Sequence, residues 1–142
     1  MKPEVDQILN LSAMQMLGTL APLLPQGYAT GSASLLAFMM MLSAQEYDRA
    51  ADIRVAENAD MRALFAALAP KVHGDLRQNL EAAAATEDAS LKISALDAGN
   101  AELRKLLAEL HEAVEEDATA NTRIWTVLRA MADRRVLKLP GQ

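Results

Sequence analysis

The chain has 142 residues, a formal net charge of -5 and no cysteine. It is long enough to bury a core without staples, and disulfide and thiol chemistry are excluded. The acidic balance argues against a general nucleic-acid binder, which needs a basic face to neutralise phosphates. Aromatic residues make up only 4%, β-branched residues are sparse, and Ala and Leu abound. That composition favours helices over strands, so the expected fold is all-α: a single domain over 1–142, an antiparallel bundle of about four helices, one or two of them long.

Gln7 to Gln45 contains no Asp, Glu, Lys or Arg; before it stand only Lys2, Glu4 and Asp6. The N-terminus does not have the form of a signal peptide, because acidic residues precede the apolar region and no clear cleavage site follows. A cytoplasmic address is expected. Residues 4–21 read as the first helix, with Val5, Ile8, Leu9, Met16, Leu17 and Leu20 at helical spacing and Leu11 and Met14 widening the apolar arc. Pro22 and Pro25 end it, and Pro25-Gln26-Gly27 reads as a turn.

A long helix is expected over 30–69, capped by Thr30 or Ser32. Its first half is wholly apolar or small up to Ala44, and with the first helix it makes a strongly apolar N-terminal hairpin. Leu35, Leu36, Phe38, Met39, Met40 and Leu42 are the candidate interface there. From Glu46 onward the helix is amphipathic. Pro70 to Gly74 breaks the chain, and Asp75 with Gln78 has the form of a capping box, which starts a third helix over 75–98. Gly99 is the expected weak point. A final helical region spans 100–136, with an interruption expected near 117–121, and 137–142 is expected to be a loose tail.

Leu96, Asn100, Leu103, Leu107, Leu110 and Val114 follow bundle or coiled-coil spacing. Glu57–Leu68 (ENADMRALFAAL) and Gly99–Leu110 (GNAELRKLLAEL) match at a shift of 42 residues. A duplicated helical hairpin would give this match, and so would chance between two alanine- and leucine-rich helices. Asn58 and Asn100 fall at equivalent seam positions. An asparagine facing a helical core demands a partner and thereby fixes register, at some cost in stability; these two are the candidate register-setting residues.

No catalytic, cofactor or metal set emerges. A di-metal carboxylate bundle needs Glu-x-x-His, but Pro70 and Ala108 stand three residues before His73 and His111. His111 with Glu112, Glu115 and Glu116 reads as a solvated surface cluster. No phosphate loop accompanies Gly27 and Gly31, and no nucleophile elbow surrounds Ser32, Ser34 or Ser43. Gly27-x-x-x-Gly31 is a small-residue pattern, but the apolar run from Ala29 to Ala44 falls short of the roughly 20 residues needed to span a bilayer.

The expected function is therefore that of a non-enzymatic helical interaction or scaffold protein, without cofactors, self-associating as a dimer through the charge-free hairpin. One alternative is a chaperone or adaptor that holds a partner helix in the Met-rich groove. In size, acidity and long-helix layout, and in the stretch Leu96 to Leu107 with its Asn and periodic leucines, the chain resembles flagellar export chaperones; that resemblance implies a protein partner. Another alternative is a membrane-associated protein with residues 8–45 inserted as a hairpin.

Overall fold

The computed structural model describes residues 4–138. They form five α-helices and no strand: α1 (Val5–Gln15), α2 (Tyr28–Leu68), α3 (Gly74–Ala84), α4 (Ile93–Ala113) and α5 (Ala118–Arg135). The expected tail residues 139–142 lie outside the described residues. The described residues divide into two compact units. One holds those up to Ala50 together with Leu137 and Lys138; the other is Ala51–Val136.

In the first unit, α1 stops earlier than the periodicity predicts. After Gln15 the helix widens to a π-helical turn, Met16–Leu20, and then tightens to a 3₁₀ turn, Ala21–Leu23. Pro22 accounts for the change, since its ring would collide with the carbonyl four residues back in a regular helix. The wider turn moves the bonding register: the Ala21 N–H bonds to the Met16 carbonyl, five residues back. Gly27, in the turn before α2, has a φ of 120°, which suits glycine. Thr30 and Ser32 were the expected caps, but α2 already starts at Tyr28. Thr30 Oγ1 instead donates to the Pro25 carbonyl at 2.8 Å, tying the turn to the helix.

The packing of this unit inverts the usual order of sizes. Its fully buried side chains among the described residues are all alanines: Ala13, Ala21, Ala33, Ala37, Ala44 and Ala50. Ala33, Ala37 and Ala44 share one stripe of α2 at the 3.6-residue period. The large side chains Leu35 and Met39 fall on the opposite face and are exposed, as are Leu11 and Met14 on α1.

The second unit follows the ordinary rule. Met61, Leu64, Phe65 and Leu68 of α2 form one core with Leu80 of α3, Leu103, Leu107 and Leu110 of α4, and Ile124 and Met131 of α5. Contacts between side chains fix the helix directions. Arg54 pairs with Asp97 and Asn58 with Asn100, so α2 and α4 run parallel. Lys71 pairs with Asp117 and Asp60 with Arg134, so α5 runs antiparallel to α2.

Two boundaries in this unit differ from expectation. The third helix ends at Ala84 and not near residue 98, and Gly99 lies inside α4 as an interior helical residue. The break falls at 85–92, where Thr86 Oγ1 caps the Ala83 carbonyl at 2.7 Å and Asp88 turns inward to Asn58 and Arg62. The Asp75–Gln78 capping box does not form: the N-cap is His73, with no side-chain cap bond. An interruption in 100–136 is present but falls at 114–117, ahead of the expected 117–121, most of which lies inside α5; Asp117 is the N-cap of α5. Its carboxylate accepts from the N–H groups of Thr119 and Ala120.

Phe65 has no exposed surface and sits in this core, whereas Leu91 is 71% exposed. Phe65→Ala should therefore destabilise the chain by about 3–5 kcal/mol. Leu91→Ala should stay within about 0.5 kcal/mol. Urea unfolding of the two variants, followed by circular dichroism, measures the contrast.

Candidate functional site

At the centre of the second unit the apolar core is interrupted by polar side chains with almost no exposed surface: Glu57 and Asn58 at 0% and Asn100 at 5%. Helical spacing puts them there. Asn58, Met61, Phe65 and Leu68 on α2, and Asn100, Leu103, Leu107 and Leu110 on α4, follow the same three-four-three pattern and all face inward. The two asparagines meet directly, with Asn100 Nδ2 donating to Asn58 Oδ1 at 2.9 Å. The 42-residue offset of the sequence match is thus also the offset at which α2 and α4 pair.

The asparagine pair is one link in a longer chain of bonds. Asn100 Nδ2 also donates to Glu57 Oε2 at 3.1 Å. Arg135, at the end of α5, forks onto the same carboxylate, Nε to Oε1 and Nη2 to Oε2, each at 2.7 Å. On the other side Asn58 Nδ2 donates to Asp88 Oδ1 at 3.0 Å and reaches the Leu96 carbonyl at 3.4 Å. Asp88 in turn accepts from Arg62 Nη2 at 2.8 Å, and Arg62 Nε donates to Thr86 Oγ1 at 3.1 Å. Five segments are joined in this way: α2, α4, the end of α5, the last turn of α3 and the 85–92 connection.

The electrostatics follow from the partners. Burial pushes the Glu57 carboxyl up. The Arg135 fork, the donation from Asn100 and the charge of Arg104 outweigh it and leave the group below its ordinary value of 4.5. The Arg62 hydrogen bond holds Asp88 below its ordinary value of 3.8; burial opposes it and Asn58 assists. At the opposite end of α5, the Lys71 hydrogen bond and the Ala120 N–H do the same for Asp117.

Beside the network lies a cleft of about 280 Å³, lined by Arg62, Thr86, Asp88, Ser90, Gly99 and Glu102 among others. Arg62 and Asp88 are bonded to each other there. His111 is also engaged: its Nε2 donates to Asn121 Oδ1 at 2.9 Å, and its ring meets Trp125 edge-on with centroids 5.8 Å apart. Among the described residues no group of three or more His, Cys, Asp or Glu side chains is arranged to hold a metal ion.

The six candidate interface residues divide. Leu35, Leu36 and Met39 are more than half exposed, while Phe38, Met40 and Leu42 are half-buried. Among the described residues no helix is long and apolar enough to cross a membrane. Comparison with family models, with curated proteins and with solved structures finds no match to this chain.

Sequence reading finds the two asparagines but misses Glu57, Asp88, Arg62 and Arg135. Glu57 and Arg135 are 78 positions apart, and nothing local marks Arg135. The only available signal is the adjacency of Glu57 to a seam asparagine.

The network sets a pH dependence. A folded carboxyl held below its unfolded value stabilises the fold above the unfolded pKa and loses that contribution as pH falls through the folded value. Stability should therefore decline as pH drops below about 4.5, the ordinary value for Glu57, with Glu57→Gln flattening that decline. Arg135→Met leaves the buried carboxylate without its cation and should cost about 2–3 kcal/mol at pH 7. That is somewhat below the usual cost of breaking a fully buried pair, because Arg135 is itself half-exposed. Denaturant midpoints from pH 3 to 8 for the wild type and both variants test the slope and the ranking.

Proposed function

We propose that the chain is a helical interaction protein that self-associates through the charge-free surface of its first unit, with a second copy of the same chain as the partner. The observation that carries this reading is the inverted packing: alanines inside, leucines and methionines outside. Leu11, Met14, Leu23, Leu35, Leu36 and Met39 are each more than half exposed. Leu35, Leu36 and Met39 share one face of α2, and an exposed apolar face of this kind marks an interaction site.

Charge supports a second copy as the partner. Residues 7–45 carry no ionisable Asp, Glu, Lys or Arg, so the surface can meet itself without stranding a charge. Closed two-fold association is the commonest way for a self-complementary patch to be covered.

Sedimentation equilibrium over a concentration series, without detergent, tests the reading; a dimer is expected. Leu35→Asp and Met39→Asp are exposed in one chain and should leave its helix content intact. Each should raise the dissociation constant by at least about 100-fold, the equivalent of roughly one buried apolar side chain. A wild-type monomer at all concentrations, or a dimer indifferent to both substitutions, would overturn the proposal.

A further inference from the structure

We infer that α5 is the displaceable element of the second unit: a lid fastened to α2 by charged pairs at its two ends, with an open groove along one flank, that opens as a unit ahead of α4. The contrast with α4 starts in the sequence. α4 buries Leu96, Asn100, Leu103, Leu107 and Leu110. α5, with 18 residues, fully buries only Ala120, Ile124 and Met131.

Along one flank of the α5–α2 seam, Asp60, Ala63 and Leu64 on α2 and Thr122, Arg123, Thr126 and Val127 on α5 line an open surface groove of about 330 Å³. Beside it Ile124 packs into the core with no exposed surface. On the groove side the Thr126 hydroxyl is turned to its own helix, donating to the Thr122 carbonyl at 2.8 Å. Walls separated by the groove do not touch and gain no dispersion energy from each other.

The ends are fastened by charge. Lys71 pairs with Asp117 at the start of α5, and Arg134 pairs with Asp60 at 2.6 Å near its end. In both pairs roughly a third of each side chain is exposed, so salt screens them. The Glu57–Arg135 fork is the third tie, and with its carboxylate buried it is screened less. Segments with few buried apolar contacts and exposed bonding are the ones that open sub-globally, ahead of complete unfolding. α5 buries fewer side chains than α4 and carries two such exposed pairs; α4 carries Arg54–Asp97.

The test uses the full chain and two readouts. Amide hydrogen exchange, resolved by peptide, compares α5 with Leu103–Leu110 of α4 at about 0.05 M and 1 M sodium chloride, where the Debye length falls to roughly 3 Å. Emission from Trp125, the single tryptophan of the chain, reports separation from His111. High salt is expected to accelerate exchange in α5 by about ten-fold, through loss of the two exposed pairs, with α4 unchanged and the Trp125 emission shifted. Because high salt also acts on the rest of the chain, the double variant Lys71→Met, Asp60→Asn provides the second measurement; it should reproduce the acceleration at low salt. Equal acceleration of α4 and α5, or no acceleration of α5 in either experiment, would overturn the inference.

Discussion

Glu57 is a carboxylate with no exposed surface in the middle of a helical bundle, and the architecture of the second unit depends on how that charge is satisfied. An ionised carboxylate removed from water costs several kcal/mol unless a cation and hydrogen bonds replace the lost solvent. Arg135 supplies the charge and two bonds; Asn100 supplies a third. Neither donor is local. One must arrive at the end of α5 and the other on α4, so the lowest-energy state of Glu57 requires two helices to be in place at one register.

The leucine ladder could not impose that register alone. Leu103, Leu107 and Leu110 are chemically alike, and a bundle that slid by a turn would still bury leucines against Met61, Phe65 and Leu68. Sliding α4 would take Asn100 away from both Glu57 and Asn58. Each buried polar group left without a partner costs about 1–3 kcal/mol, and the loss would extend to Asp88 and Arg62, whose bonds run through Asn58. On this reading apolar burial drives the unit to collapse, and the polar chain selects one collapsed arrangement. The replica of the Asn-x-x-Met/Leu pattern on α2 and α4 makes the two helices interchangeable in outline; Glu57, which has Gly99 at the equivalent place in the match, is what distinguishes them.

The helical fold, the break after Leu68, the interruption before α5 and the inward asparagines were all legible, because each rests on periodicity or on a proline that acts locally. The end of α3 was not. Ala82 to Ala85 have the highest helix propensity available, and local reasoning carries the helix onward. What ends it is tertiary: Asp88 satisfies Asn58 and Arg62, which lie 30 and 26 residues earlier, and an extended connection lets it reach them. Gly99 misleads as well. An added Cβ there would make only ordinary contacts, with Asn58 Nδ2 at 3.8 Å and Asp88 Oδ1 at 4.0 Å, so neither a turn nor a close approach requires glycine at this place in the helix. Glu57 was invisible because its partners lie 43 and 78 positions away.

The two units are stabilised in different ways, and this bears on how the first one holds its shape. α1 has 11 residues, below the length of roughly 12–15 at which isolated helices become even marginal in water. Most helical stability in proteins comes from packing an apolar face, yet the faces packed in this unit are lined by alanine, which buries little area per residue. The side chains that could contribute most, Leu11, Met14, Leu35 and Met39, contribute while they are covered. On the self-association reading the covering surface is another copy, so the order of α1 and the formation of the interface draw on the same apolar area. Folding of the first unit and association then become one equilibrium that depends on chain concentration. The second unit, with Phe65 and Glu57 fully enclosed, has its own core.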